Sequence, residues 1–356
     1  MDNNDDRNNY TDRLKAINEP LLVWYAAHAR ELPWRSEPAP YRVWISEIML
    51  QQTRVEAVRS YFDRFMRALP DVAALAAVDD DRLMKLWEGL GYYSRARNLK
   101  KAAQRVMETY GGVIPSEPEE LLTLPGIGDY TAGAIASIAF GRAVPAVDGN
   151  VLRVISRLLA SRGDITKATT KKQITQFLSE TMPRSRCGDF TQALFEVGAL
   201  ICVPNGAPKC GECPLRSLCL AADQELTAEI PVKTAAKPRR VEERTVCIFE
   251  RGGEVALRRR PPEGLLASLY ELPNAEGKLE PDEVIAAFGL TSGTVLEIEP
   301  LPAAKHIFSH VEWRMIGYRL RLNGDFPTGC IAADKEKLDT TYALPNAFAA
   351  YKRFIC

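Results

Sequence analysis

The sequence predicts two folded domains, an all-α domain followed by an α+β domain, and three observations carry that division. From residue 14 to about 220 apolar residues recur three and four positions apart, Ala, Leu and Arg abound, and the connections are short and rich in Pro or Gly. Residues 227–240 (TAEIPVKTAAKPRR) are polar, basic and proline-bearing, the composition of a linker. Beyond them residues 245–249, 255–258 and 313–322 alternate or cluster β-formers, while 281–288 reads as a helix. The expected boundaries are a disordered terminus at 1–9, a helical domain at 10–226, the linker at 227–240 and the second domain at 241–356.

Composition narrows the function classes. At 356 residues and 46% apolar, the chain can bury two cores of ordinary size. The 46 basic and 46 acidic residues cancel, so any nucleic-acid surface must come from local asymmetry. No apolar run approaches the roughly 20 residues that cross a bilayer, so no membrane partner is expected. The first ten residues (MDNNDDRNNY) lack the basic and apolar regions of a secretory leader. Cys187, Cys247, Cys330 and Cys356 are scattered without pairing pattern, which together with that start predicts a reducing, cytoplasmic setting.

The remaining cysteines are organised. Cys202, Cys210, Cys213 and Cys219 follow C-x7-C-x2-C-x5-C, a spacing that brings four thiolates to one iron–sulfur cluster or zinc ion. Pro204, Pro208 and Pro214 stiffen the loops between them, and Lys171, Lys172, Lys209 and Arg216 add positive charge nearby.

A helical hairpin precedes that loop. Ser116 with Glu119 forms the pattern of a capping box, and its helix ends at Pro125. Gly126-Ile127-Gly128 then makes a sharp turn into a second helix, from Tyr130 to Phe140, with small residues along it. Glycines let backbone N–H groups approach a phosphate, and the helix N-terminus favours an anion, so Gly126 and Gly128 are expected to grip DNA without reading its sequence. Gln51-Gln52-Thr53-Arg54 offers amides that can wedge into an opened base stack, and residues 89–95 (GLGYYSR) offer stacking aromatics beside basic groups.

Two carboxylates suit bond cleavage at a sugar. Glu47 shares a helical face with Val43 and Leu50 in an otherwise apolar segment, where desolvation would raise its pKa toward neutrality and make it a general acid. A carboxylate facing solvent, or paired with Arg54, is the plainer alternative. Asp148 precedes a helix whose apolar face carries Val151, Leu152, Ile155, Leu158 and Leu159, so it can serve as N-cap, as can Asn150. It can equally supply the anion that opposes an oxocarbenium charge while an acid protonates the leaving base.

Together the hairpin, residues 147–150 (VDGN) and the four-cysteine loop resemble the endonuclease III superfamily of base-excision DNA glycosylases. Within it residues 32–35 (LPWR), 46–53 (SEIMLQQT) and 89–95 (GLGYYSR) resemble the adenine DNA glycosylases of the MutY type, over a match from about 24 to 219. Residues 264–273 (GLLASLYELP) and 306–310 (HIFSH) resemble that family's C-terminal domain, a relative of Nudix hydrolases. The resemblance implies a multidomain fold: an all-α helix-hairpin-helix glycosylase domain with a four-Cys iron–sulfur loop, then an α+β Nudix-like domain. It implies a monomer acting on double-stranded DNA, associated with the nucleoid when bound, and flipping out an adenine paired with 8-oxoguanine or guanine.

By the same resemblance Glu47 protonates adenine, Asp148 stabilises the oxocarbenium-like centre, and Tyr130 and Asn150 complete the pocket. Arg35 and Gln192 match positions near the flipped adenine, Gln52 and Tyr92 match wedge residues, and Phe308, Ser309 and His310 match the loop that senses oxidised guanine. The cysteines would hold a [4Fe-4S] cluster with a structural, DNA-contacting role. Superfamily members that also nick the strand carry a lysine in the first turn after the hairpin, where this chain has Tyr130; a phenol forms no imine, so cleavage is expected to stop at an abasic site. Two departures are visible: seven residues, rather than the common six, separate Cys202 from Cys210, and no Arg-Glu followed by a Glu pair appears after Pro273, so the second domain is expected to bind rather than hydrolyse.

Overall fold

The computed structural model describes residues 4–235 and 237–355, and the expectations for residues 1–3, Ala236 and Cys356 fall outside it. The chain forms two compact units. One comprises the chain up to Ala77 with Asn98–Ala235, the other Val78–Arg97 with the chain after Ala235.

The first unit is helical. Where disorder was expected up to residue 9, α1 (Asn4–Ala16) is already formed; Leu14 and Ile17 are fully buried and Tyr10 meets Phe177 edge-on at 6.2 Å, so its far end is anchored. Next come α2 (Asn18–His28), α3 (Pro40–Leu50), α4 (Val55–Ala68) and α5 (Val72–Ala77). Pro40 opens α3, where its fixed φ suits the first turn and its missing N–H costs nothing. In the second unit lies α6 (Asp80–Trp87), capped by the Asp79 side chain accepting from the N–H groups of Asp81 and Arg82.

The chain continues through α7 (Ser94–Tyr110), α8 (Pro118–Leu121), α9 (Asp129–Ala134), α10 (Gly149–Leu158), α11 (Ala168–Thr181), α12 (Cys187–Leu200) and α13 (Leu220–Asp223). The expected capping box does not form. Pro118 starts α8 later than the sequence suggested, Glu117 takes the N-cap position without a side-chain bond, and Ser116 Oγ instead accepts from Arg142 at 2.9 Å. A core of α1, α2, α10, α11 and α12 buries Leu21, Val151, Ile155, Phe190 and Val197, the positions that the three-and-four spacing picked out. The start of the linker is held in this unit: Arg157 donates to the carbonyls of Thr227 (2.9 Å) and Ile230 (2.7 Å).

The second unit is built on a seven-stranded sheet. Its strands are β1 (Arg240–Arg251), β2 (Glu254–Arg259), β3 (Tyr270–Glu271), β4 (Asn274–Glu276), β5 (Val295–Ile307), β6 (Val311–Leu322) and β7 (Cys330–Ala333). The main order is β3-β2-β1-β6-β5, with β4 on β1 and β7 on β2. β1 and β6 run parallel; the other pairs are antiparallel. Alternation along β1 divides the core: Val246 and Ile248 enter a cluster with Trp313 and Phe348, Cys247 and Phe249 one with Leu320 and Val284. Helix α14 (Pro281–Ala287) carries a complete capping box between Glu280 and Glu283, and the short α15 (Lys335–Thr340) and α16 (Ala349–Lys352) follow the last strand.

Candidate active site

A cavity of about 160 Å³ in the first unit gathers Glu47, Tyr130, Asp148, Asn150, Arg35 and Gln192, residues drawn from sequence positions more than 150 apart. Val43 and Leu50 line it with Glu47, as the helical face of α3 requires. Glu47 is only 5% exposed. Its partner is not Arg54: the Tyr130 hydroxyl donates to Glu47 Oε2 at 2.5 Å. Burial pushes the Glu47 pKa up to about 7; the nearby Asp148 charge adds to the rise, while the Tyr130 hydrogen bond and Arg35 oppose it. The Tyr130 hydroxyl is itself driven well above its ordinary value, first by burial and then by the Glu47 charge, so it acts as donor.

Asp148 is both N-cap and cavity residue. It accepts from Val151 N at 2.8 Å, closing the first turn of α10, and from Asn150 Nδ2 at 2.8 Å. Burial raises its pKa, and those hydrogen bonds together with Arg153 work against the rise. Asn150 in turn accepts from Arg153, whose guanidinium also reaches the carbonyls of Gly198 (2.8 Å) and Cys202 (2.7 Å). Gly198 permits that approach of α12 to α10: a Cβ there would lie 2.6 Å from Asn150 Cβ.

The cavity wall also contains a cluster that the motifs did not point to. Glu196, 1% exposed, accepts from Arg30 Nε (2.8 Å), Arg30 Nη2 (2.7 Å) and Arg35 Nη2 (2.9 Å). Burial alone would raise the Glu196 pKa, but the two guanidinium groups outweigh it and hold the carboxyl below its ordinary value. The signal was available: residues 193–197 (ALFEV) set one carboxylate in an apolar helical run, the same pattern that marked Glu47. Arg35 Nε is buried and without a protein partner.

Three residues expected at DNA lie outside this cavity's lining. Gln52 is exposed and left-handed at φ 58°, just past the end of α3. Gly126 has φ 79°, and a Cβ on it would sit 2.7 Å from Asn98 Cβ, so this turn needs glycine on both counts. Gly128 caps α9 in extended conformation, with open space where a side chain would be. The second helix of the hairpin runs α-helical over Asp129–Ala134 and then widens into a π-turn over Ile135–Ala139, a local irregularity frequent at functional sites.

In the second unit a cavity of about 520 Å³ is lined by Tyr92, Phe308, Ser309 and His310, with His306 and Leu265 beside them. Ser309 and Tyr92 hydroxyls lie 3.2 Å apart, and Tyr92 is 47% exposed with φ 47°. Arg95 fixes the turn that presents Tyr92 by donating to Leu90 O and Gly91 O, its guanidinium 5.3 Å from the Trp87 ring. Burial lowers the Arg95 pKa to about 10. The β5–β6 turn is fixed as well: Phe308 N bonds Val311 O at 2.8 Å, and its ring meets His306 and Trp313 edge-on.

The four loop cysteines are half-buried, and Cys202, Cys213 and Cys219 pack against the first unit's core. Short 3₁₀ turns at Cys210–Glu212 and Arg216–Leu218 fold the loop, and Arg157 Nη1 lies 3.3 Å from Cys202 Sγ. Burial, then the mutual charges of Cys202, Cys219 and Cys210, push the Cys213 thiol up to about 11. Among the described residues no three Cys, His, Asp or Glu side chains stand in metal-ligand geometry. Nor is any helix among them long and apolar enough to cross a membrane.

Comparison with known proteins agrees with both units. Residues 45–180 match the HhH-GPD superfamily of base excision DNA repair proteins, and residues 244–353 match the NUDIX domain. The adenine DNA glycosylase of Homo sapiens is 35% identical over 88% of this chain and 68% of its own length. That of Schizosaccharomyces pombe is 32% identical over 86% of this chain and 82% of its own. A thermostable thymine-DNA glycosylase superposes with a TM-score of 0.54 at 28% identity, covering 60% of this chain and 98% of that one. An endonuclease III solved in a non-covalent DNA complex shares the fold, with a TM-score of 0.52 at 24% identity over 61% of this chain and 98% of that one.

Proposed function

From the premise that the chain belongs to the adenine DNA glycosylases, enzymes of base excision repair, we propose that it removes adenine paired with 8-oxoguanine or guanine and stops at the abasic site. The observation that carries the reading is the buried acid: Glu47, held by Tyr130 beside Asp148, has its pKa at about 7 and so keeps a proton available at neutral pH. As the glycosidic bond breaks, that proton passes to a ring nitrogen of adenine, which leaves neutral. Asp148, its oxygens held by Val151 and Asn150, would as the anion oppose the positive charge growing on the sugar. Water then adds to the sugar carbon, and the proton it loses restores the acid. Arg35 and Gln192, in the same wall, would contact the flipped adenine.

Strand cleavage through an imine needs an amine. No lysine lines the cavity, and Tyr130 occupies the first turn of α9, which supports a monofunctional enzyme. Gly126, Gly128 and Gln52 would hold and wedge the duplex, while Tyr92, Phe308, Ser309 and His310 would read the base opposite adenine, with Ser309 giving the direct hydrogen bond. Cys202, Cys210, Cys213 and Cys219 would bind a [4Fe-4S] cluster; the C-x7-C-x2-C-x5-C spacing, the half-burial of all four thiols and the short 3₁₀ turns between them support that reading. When bound, the cluster would brace the loop that carries Lys209 and Arg216 toward DNA. The protein is read as a cytoplasmic monomer acting at the nucleoid.

The test is single-turnover adenine release from duplexes pairing adenine with 8-oxoguanine, guanine or thymine, each developed with and without alkali. Breaks that need alkali, and form mainly opposite 8-oxoguanine, are expected. Breaks without alkali would refute the monofunctional reading, and equal rates opposite thymine the lesion preference.

A further inference from the structure

We propose that Glu196 is a positioning residue that fixes the aim of Arg35 and offsets its charge, and through Arg35 governs the proton on Glu47. The inference rests on the reading of Glu47 as the acid. Two guanidinium groups share one carboxylate in the cavity wall, with Glu196 nearly sealed from solvent at 1% exposure, so neither arginine is screened by water alone. Arg30 engages it through Nε and Nη2, Arg35 through Nη2. Arg35 also donates to Arg30 O at 3.2 Å, which locks the two arginines into one unit.

The groups that act on Glu47 are the charges of Asp148 at the start of α10 and of Arg35 from the segment before α3, and the neutral Tyr130 hydroxyl on α9. Of these Arg35 is the cation, and it favours ionised Glu47, the state that cannot protonate adenine. Glu196 cancels part of that field. Without its charge Arg30 and Arg35 would stand as two uncompensated cations in the wall, and Glu47 would release its proton at lower pH. The phosphates of bound DNA add the same negative field to every variant, so differences between variants report the protein groups.

The experiment is the pH dependence of single-turnover adenine release by the full chain. For the wild type, activity falls on the alkaline side as Glu47 loses its proton. Glu196→Gln keeps the shape and removes the charge; its alkaline limb is expected to move down by about one pH unit, which makes the loss of rate about tenfold at pH 8. Glu196→Asp keeps the charge and should return the limb toward wild type, whatever the plateau rate. Arg30→Gln leaves Glu196 to Arg35 alone and should move the limb the other way, upward. A purely structural role would scale the rate equally at all pH values. Limbs that stay in place in both Glu196→Gln and Arg30→Gln would overturn the proposal, and should Glu196→Gln fail to fold, the Arg30→Gln limb decides alone. Glu47→Gln separates the two levels: turnover by that variant would sink the acid itself, whereas a dead Glu47→Gln with unmoved limbs elsewhere would leave the acid standing and remove Glu196 from its control.

Discussion

Replacing Glu47 with Gln should abolish adenine release and, at alkaline pH, make the protein more stable. A buried carboxyl, set in the cavity with Val43 and Leu50, must give up hydration to ionise, and its pKa rises from an ordinary 4.5 to about 7. Between those values the native state binds the proton more tightly than the unfolded chain does. Stability therefore falls as pH rises through that window and stays lowered above it. Integrating the linkage from pH 5 to pH 8 gives a loss of about 2.5 kcal/mol that Gln, which does not titrate, escapes. For a unit of this size class that corresponds to about 5–10 °C in Tm. Urea or thermal unfolding of both proteins at the two pH values measures it, and the change in their difference is the quantity of interest, since any loss of hydrogen bonding by Gln is common to both. A wild-type to Glu47→Gln difference that is the same at pH 5 and pH 8 would refute the claim that Glu47 is a neutral, buried acid in the native state.

Asn150→Ala removes a donor to Asp148, so Asp148 should need higher pH to ionise and the acid limb of the rate profile should rise by about one to two pH units, the worth of a hydrogen bond to a charge; an unmoved acid limb argues against an essential Asp148 anion. Ser309→Ala is expected to weaken the preference for 8-oxoguanine over guanine while base release continues, read as the ratio of single-turnover rates on the two duplexes. Cys213→Ser should lower Tm and weaken DNA binding, and full activity in a colourless, metal-free protein would count against an essential cluster. Gly198→Ala places a Cβ 2.6 Å from Asn150 and should cost about 1–3 kcal/mol of stability in chemical unfolding, with reduced turnover.

Local pattern carried much of the helical unit and, in the sheet, β1, β2 and β6, because helix and strand periods are local properties; β5, whose register with β6 shifts twice, and the short β3, β4 and β7 were not picked out. Glu47 was legible as a charge in an apolar run; Glu196 carries the same mark on α12, but its partners Arg30 and Arg35 lie more than 150 residues away in the chain, which no local pattern shows. What was not legible depends on distant partners. Residues 78–97 lie inside the helical stretch of the sequence, yet they belong to the sheet-containing unit, where Lys85 Nζ donates to Leu338 O at 2.6 Å and Glu88 Oε1 accepts from Leu344 N at 3.1 Å. Parallel pairing of β1 with β6 spans a long stretch of chain that no alternation reveals. At Ser116 a local rule pointed the wrong way, since the proline two residues on fixes where α8 begins.

The two carboxylates of the cavity illustrate how one environment can assign opposite roles. Burial raises the pKa of both, so desolvation alone would leave two neutral acids. Donors make the difference. Glu47 has Tyr130, whose hydroxyl donates without adding charge, while Arg35, the one cation acting on it, is neutralised in part by Glu196. Asp148 occupies a helix N-terminus, where Val151 N–H, the Asn150 amide and the field of Arg153 all favour the anion. The same N-cap geometry that closes α10 thus supplies the negative charge that opposes a developing cation, and the apolar face of α3 supplies the proton. Acid-assisted cleavage of a glycosidic bond at neutral pH needs one carboxyl that keeps its proton and one surrounded by donors to its charged form, and Glu47 and Asp148 differ in that respect.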